Sequence, residues 1–116
     1  MDNQYSIWTW GGKDVKFEGC TFNTNGKAIL LYGSASTNLV VNDCTFNDRK
    51  NGTVGKAAIE SGSGYGATYT LTVNNATVNG FAENTEGTPT HSNIWANKNS
   101  MDQAHLNVVI DGVDVY

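Results

Sequence analysis

The sequence predicts an all-β solenoid, a single chain that coils through about four turns of three short parallel strands each. Three observations support this: a composition poor in helix formers, a pattern that occurs four times, and residues suited to tight corners at the same place in each copy. The chain has 116 residues, of which 16% are charged, and it contains 13 Gly, 15 Asn and 13 Thr. Those three residue types are weak helix formers. The length predicts one domain covering residues 1–116.

The repeated pattern is apolar, any, apolar, any, any, small or apolar, any, apolar. Its four copies occupy residues 15–22, 39–46, 71–78 and 108–115, with starts separated by 24, 32 and 37 residues. Each copy is typical of two short strands with alternating faces. A pair of residues joins the two strands, and its second member is Gly19, Asp43, Asn75 or Gly112. These types tolerate a left-handed backbone, so we expect a tight corner at each site and no hairpin.

A third strand precedes each copy, in residues 6–10, 28–32, 58–62 and 93–97. Four isoleucines align within these segments and are expected to face inward: Ile7, Ile29, Ile59 and Ile94. Asn-Gly pairs at 25–26, 51–52 and 79–80 favour the alternative of antiparallel hairpins. All three pairs, however, follow the last strand of a turn, where a solenoid corner also needs them. A solenoid explains why the pattern repeats in register, whereas a sandwich of hairpins gives no reason for such a repeat.

This pattern resembles the right-handed parallel β-helix of the pectate-lyase-like superfamily. The resemblance extends over most of the chain and concerns architecture, because that superfamily includes lyases, hydrolases, adhesins and phage tailspikes. Inward ladders are expected at equivalent positions of successive turns, one of them formed by Cys20, Cys44, Ala76 and Val113. We expect the two cysteines to be buried thiols, with a disulfide as the alternative. Three asparagines that follow the last strand of a turn, Asn23, Asn47 and Asn79, are expected to bond to one another structurally.

The outward side of the isoleucine strands is the candidate binding surface. Two ladders are expected there, one of Trp8, Leu30, Glu60 and Trp95 and one of Trp10, Tyr32, Gly62 and Asn97. A solvated sheet face has no structural need for such aromatic residues, so they indicate a ligand or partner surface. Covering of the aromatics by the N-terminal residues or by long loops is the other interpretation. With Tyr65 in a glycine-rich loop, the candidate binding residues are Trp8, Trp10, Tyr32, Glu60, Tyr65 and Trp95.

Other classes of site and partner have little support in the sequence. The net charge is −4 and Arg49 is the one arginine, which argues against nucleic acid. We expect no membrane insertion, because no apolar run approaches 18 residues. Two cysteines and two distant histidines do not make a convincing metal site, and no cofactor motif is recognisable. The acidic residues are scattered, so we name no catalytic residue and favour a non-catalytic chain over an enzyme.

Both ends of the coil are expected to lack caps, since the last position of the pattern is Val115 and no amphipathic helix flanks the repeats. We therefore expect a fragment of a larger protein, or a chain whose open ends associate with a second copy.

From the resemblance we expect a bacterial extracellular or cell-surface protein. Its expected function is adhesion or binding, in which the aromatic face and corner loops recognise a glycan or a host protein. Two alternatives stay open: a fragment of a polysaccharide lyase or glycoside hydrolase, with Glu60 or Asp43 as remnants of a cleft, and a purely structural rod segment.

Overall fold

The computed structural model confirms a coil of short strands that form three sheets. It describes residues 7–9, 13–25, 27–49, 57–62, 66–81, 90–91, 93–97 and 105–115. Within these ranges the regular elements are thirteen β-strands, β1 to β13 in chain order. The chain passes from the first sheet to the second and then to the third before it returns to the first. Strands that stack on one another therefore come from successive turns, as in the predicted parallel solenoid.

The first sheet contains four parallel strands and one antiparallel strand at its end. The parallel strands are β1 (Ile7–Trp8), β4 (Ile29–Leu31), β7 (Ile59–Ser61) and β11 (Trp95–Asn97), and β10 (Thr90–His91) pairs antiparallel with β11. The second sheet is built alike from β2 (Asp14–Glu18), β5 (Thr37–Asn42), β8 (Tyr69–Asn74) and β12 (Leu106–Ile110), with β13 (Val113–Asp114) antiparallel to β12. The third sheet holds three parallel strands, β3 (Thr21–Thr24), β6 (Thr45–Asp48) and β9 (Thr77–Asn79).

The repeat alignment predicted the register of the second and third sheets. In the second sheet Val15, Leu39, Leu71 and Val108 are Cα partners in sequence, and so are Phe17, Val41, Val73 and Ile110. In the third sheet Phe22 pairs with Phe46, and Phe46 pairs with Val78. The Phe22 and Phe46 rings stack with centroids 4.9 Å apart and an angle of 8°. Stacking of this kind follows from the strand spacing, since parallel neighbours lie about 4.8 Å apart.

The corners between the second and third sheets adopt the predicted left-handed backbone. The φ angles are 66° at Gly19, 53° at Asp43 and 55° at Asn75. Side-chain bonds link these corners along the coil, because the Asn75 amide Nδ2 donates to Oδ1 of Asp43 over 2.8 Å. Asparagine and aspartate thus serve both as left-handed residues and as links between turns.

The predicted ladder of asparagines after the third sheet is confirmed. Asn47 Nδ2 donates to Asn23 Oδ1 over 3.0 Å, and Asn79 Nδ2 donates to Asn47 Oδ1 over 2.9 Å. Asn47, in the middle, thus donates its amide N–H to the preceding turn and accepts with its amide oxygen from the following turn. This head-to-tail arrangement satisfies polar groups at the same spacing as the backbone bonds.

The fourth corner was predicted wrongly, because it forms a hairpin. Asp111 and Gly112 both have positive φ, at 50° and 79°, whereas the other corners have one such residue each. Two consecutive left-handed residues with the sequence Asp-Gly are typical of a type I′ turn, which reverses the chain. β13 therefore folds back on β12, with Val113 opposite Ile110. Val113 was expected in the inward cysteine ladder and is instead 61% exposed.

Two antiparallel strands lie beside the last parallel strands of the first and second sheets. β10 lies beside β11 in the first sheet, and β13 lies beside β12 in the second. Each covers backbone groups of the last parallel strand that would otherwise have no strand partner.

Both cysteines are free thiols, as the favoured interpretation held. Cys44 is buried and its Sγ lies 3.2 Å from the carbonyl oxygen of Asn42. Burial, which disfavours the charged thiolate, is the main cause that raises the pKa of the Cys44 thiol. Cys20, in the first turn, is only partly buried.

We expect the two thiols to react at different rates with iodoacetamide under native conditions. Cys20 should be labelled first, and Cys44 more slowly, because its thiol is both shielded and kept protonated. Mass spectrometry of the digested protein over a time course measures the two rates. Equal rates in the folded protein would contradict the expectation, and equal rates in urea provide the control.

Gly80 occupies a corner position with no room for a side chain. Its φ is 84°, and a Cβ atom there would lie 2.6 Å from the carbonyl oxygen of Asp48. We expect Gly80→Ala to lower the free energy of unfolding by more than the roughly 1–2 kcal/mol of a left-handed alanine alone. Gly19→Ala is the matched control, since Gly19 also has positive φ but a Cβ there meets nothing within 4 Å. Urea unfolding followed by circular dichroism compares the two, and equal losses would refute the steric argument.

Candidate binding site

Trp8 and Tyr32 form an aromatic pair on the outward side of the first sheet. Strand alternation puts Trp8 outward, because its neighbour Ile7 is paired with the buried Ile29. Trp8 is 56% exposed and Tyr32 is partly exposed. Their ring centroids lie 6.3 Å apart with an angle of 43° between the planes. These two rings therefore lie together on the outward side of the first sheet.

The rest of this outward ladder does not face solvent. Trp8 is followed in register by Leu30, Glu60 and Ala96, and all three are buried. The aromatic surface among the described residues is therefore confined to the first two turns. Leu30, Glu60 and Ala96 are covered, whereas Trp8 in the first turn is exposed.

Glu60 was predicted on the solvent face but lies in a buried ion pair. Its Oε2 is 3.2 Å from Nζ of Lys27, and the two side chains are 3% and 8% exposed. Lys27 precedes β4 and Glu60 lies in β7, so the pair connects two successive turns. Charges that leave water need a partner at this distance, since the interior solvates them poorly. The carboxylate of Glu60 thus has a structural role in the coil.

Trp95 was predicted on the solvent face and is instead fully buried. It is the Cα partner of Ile59, so Trp95 and not Ile94 occupies the inward isoleucine position in the last turn. Its indole Nε1 donates to Oγ of Ser61 over 2.8 Å. A register shift of one residue exchanges the two faces of a strand, which moves Trp95 inward and places Ala96 outward. Asn97, expected outward, is likewise buried beside Ser61.

Trp10 and Tyr65, the remaining predicted binding residues, lie outside the described residues. Only Trp8 and Tyr32 of the predicted set are therefore placed together at a surface.

A polar groove opens where the strands of the second sheet begin. Its volume is about 340 Å³, and its lining consists of Lys13, Asp14, Ser36, Thr37, Asn38, Thr68 and Thr70. Three of these, Asp14, Asn38 and Thr70, are Cα partners in successive turns. The sequence analysis did not predict this groove. Polar residues at the first positions of the aligned strands could have indicated it.

Hydrogen bonds within the corner hold this groove in shape. The backbone N–H of Thr68 donates to Oγ of Ser36 over 3.1 Å, and the backbone N–H of Thr37 donates to the carbonyl of Thr68 over 3.1 Å. On the other side, the N–H of Asn38 donates to the carbonyl of Lys13 over 2.7 Å. A ligand in the groove would thus meet hydroxyl and amide groups on a preformed backbone.

The aromatic pair and the groove flank the same corner of the coil. Ser36 comes four positions after Tyr32, and four residue steps of chain span at most about 14 Å. The corner is held by Tyr69, whose phenol accepts from the N–H of Gly33 over 2.6 Å and donates to the carbonyl of the same residue. Tyr69 is fully buried, so these hydrogen bonds attach the corner to a side chain of the core. Tyr32 and the groove residue Ser36 therefore lie close to one another along this corner.

The charged groups of this region do not form a metal site in the described part of the chain. No three His, Cys, Asp or Glu side chains come together there in an arrangement that could hold an ion. Two carboxylates form hydrogen bonds within corners: Asp43 Oδ1 accepts from the Asn75 side-chain amide, and Asp111 Oδ1 accepts from the Asn75 backbone N–H over 2.7 Å.

Comparison with known families agrees with this architecture. The family described as right handed beta helix region matches residues 1–107. The chain belongs to the right-handed β-helix family. That assignment supplies the hand of the coil, which the repeat pattern alone left to resemblance. Comparisons with curated proteins and with solved structures found no match. No helix in the described ranges has the length and apolar character needed to cross a membrane.

The buried ion pair gives a stability prediction. Lys27→Met leaves the Glu60 carboxylate buried without its lysine, and we expect a loss of about 3–5 kcal/mol in the free energy of unfolding. Adding Glu60→Leu should restore most of that loss, because it removes the buried carboxylate that has lost its lysine. The control is Lys16→Met, which breaks an exposed 3.3 Å pair with Glu18 and should cost under about 1 kcal/mol. Similar losses for Lys27→Met and Lys16→Met in urea unfolding would show that burial does not matter here.

Proposed function

We propose that this right-handed β-helix is a non-catalytic binding module that holds a glycan against Trp8 and Tyr32. The observation that carries the proposal is the exposed indole of Trp8 beside Tyr32, at a corner that also forms a polar groove. A flat aromatic ring can stack on the apolar face of a sugar, while hydroxyl and amide groups bond to its hydroxyls.

A glycan fits this surface better than a host protein does. Trp8 and Val113 are the two large apolar side chains that are strongly exposed among the described residues, and they belong to different sheets. A stable protein interface buries about 800 Å² on each partner around an apolar centre, which these two residues do not supply. One stacking platform with hydrogen-bonding groups nearby is enough for a sugar chain.

The polar lining favours an uncharged glycan. The groove contains one cation and one anion, Lys13 and Asp14, beside hydroxyl and amide groups. The whole chain carries a net charge of −4. A polyanionic ligand would be repelled by that charge, whereas an uncharged glycan is indifferent to it.

The burial of Glu60 argues against the alternative of a polysaccharide lyase or glycoside hydrolase. Glycoside hydrolysis needs two carboxyl groups that flank the substrate bond, and lyases need a base that reaches the sugar. Glu60, the carboxylate that the sequence placed on the binding face, is buried against Lys27. We accordingly propose a role in binding, as a bacterial extracellular or cell-surface module.

The proposal is tested on a panel of immobilised neutral and acidic oligosaccharides, followed by calorimetric titration of those that bind. We expect neutral oligosaccharides to bind, and Trp8→Ala and Tyr32→Ala each to weaken binding at least about tenfold, which corresponds to about 1.4 kcal/mol. Val113→Ala is the matched control, because it removes an exposed apolar side chain on another sheet. Binding that survives both aromatic substitutions, or no binding to any member of the panel, would refute the proposal.

A further inference from the structure

The two rings of the candidate site do not share a plane. The centroids of Trp8 and Tyr32 lie 6.3 Å apart, and their planes are inclined to one another by 43°. A flat surface can lie against one of two inclined rings but not against both at once. A ligand that stacks on both rings must therefore present two faces that are themselves inclined. The angle between the rings thus constrains the shape of the ligand.

The position of the second ring is fixed by the core. Trp8 lies in β1, whereas Tyr32 follows the last residue of β4, one turn further along the coil. The next residue is Gly33, whose φ is 149° and whose backbone N–H and carbonyl both bond to the phenol of Tyr69. Because Tyr69 is fully buried, the backbone beside Tyr32 is attached to the interior. The rings consequently meet a ligand at a preset angle, which favours ligands that already have the matching shape.

The aromatic surface is short in the part of the chain that the structure describes. Leu30 and Glu60, which follow Trp8 in register, are buried, and Trp95 faces the core. A ligand there meets two rings and no longer row. Their separation is comparable to the length of one pyranose unit, so each ring can stack on its own unit of a glycan chain.

The linkage between two sugar units decides whether their faces are parallel or inclined. In cello-oligosaccharides both bonds of each linkage are equatorial, so the chain is a flat ribbon and neighbouring sugar faces are nearly parallel. In malto-oligosaccharides one bond of each linkage is axial, so the chain bends at every unit and neighbouring faces are inclined. Both kinds of chain consist of glucose and carry no charge. They differ in shape alone, which is the property that two inclined rings distinguish.

We propose that the Trp8–Tyr32 site selects neutral glycans that bend at each linkage, of the malto-oligosaccharide kind, over flat ribbons of the cello-oligosaccharide kind. This inference rests on the proposed function, because it requires that both rings contact the glycan. A flat chain stacks on one ring and loses the other. Its affinity for the wild type should therefore resemble the affinity of a bent chain for a variant with one ring removed.

Calorimetric titration with maltohexaose and cellohexaose tests the inference. Any other neutral oligosaccharide that binds is titrated beside a partner of the same sugar with the other kind of linkage. In each pair that binds, we expect the bent member to bind the wild type at least about tenfold more tightly, the same factor as for loss of one ring. A flat member that binds as tightly as the bent one, or more tightly, would overturn the inference.

Substitution of either ring shows whether the angle between them causes the preference. In Trp8→Ala and in Tyr32→Ala, the ratio of the two dissociation constants should fall to about one, since a single ring cannot read an angle. Val113→Ala, the control on another sheet, should keep the wild-type ratio. A preference that survives both aromatic substitutions contradicts the inference. A wild type that binds no neutral oligosaccharide refutes the proposed function itself, whereas binding through Trp8 without a preference for bent chains refutes the inference alone.

Discussion

The structure depends on the parallel hydrogen bonds between equivalent strands of successive turns. These bonds set a spacing of about 4.8 Å and bring each residue next to its counterpart one turn later. Phenylalanine therefore stacks on phenylalanine at positions 22 and 46, and asparagine bonds to asparagine at 23, 47 and 79. The spacing of the backbone hydrogen bonds therefore also fixes which side chains contact one another. A polar group that bonds well in one turn does so in the next only if the register is kept.

The same constraint explains why the departures occur where the stack ends. In the middle of the coil each strand has neighbours on both sides, and these neighbours determine its register. Among the described residues, the last turn stacks on another turn on one side only, so its local sequence has more influence. There Asp111 and Gly112 turn the chain back into a hairpin, and Trp95 takes the place that the alignment assigned to Ile94. At the first turn, the core residues remain partly exposed and the edge strand carries charges.

The candidate site also lies at this less constrained end. Trp8 belongs to the first strand of the first sheet, where no earlier strand among the described residues limits its surroundings. Leu30 and Glu60, which follow in the same ladder, are buried. A regular coil thus repeats its core in each turn but offers distinct surfaces at its ends and corners. The corner held by Tyr69 against Gly33 joins the aromatic pair to the polar groove and gives both a rigid base.

The sequence by itself determined the architecture, the register of the second and third sheets, the left-handed corners and the asparagine ladder. It could do so because stacked residues at equivalent positions need similar size, polarity and backbone conformation. The sequence therefore repeats with the period of the coil. It also indicated the outward side of the first sheet for Trp8 and Tyr32, because strand alternation decides that side. Tertiary structure decided the burial of Trp95, the pairing of Glu60 with Lys27, the groove and the terminal hairpin. Each of these depends on contacts between residues far apart in the chain or on the choice between two local conformations. Periodicity does not encode such contacts or choices.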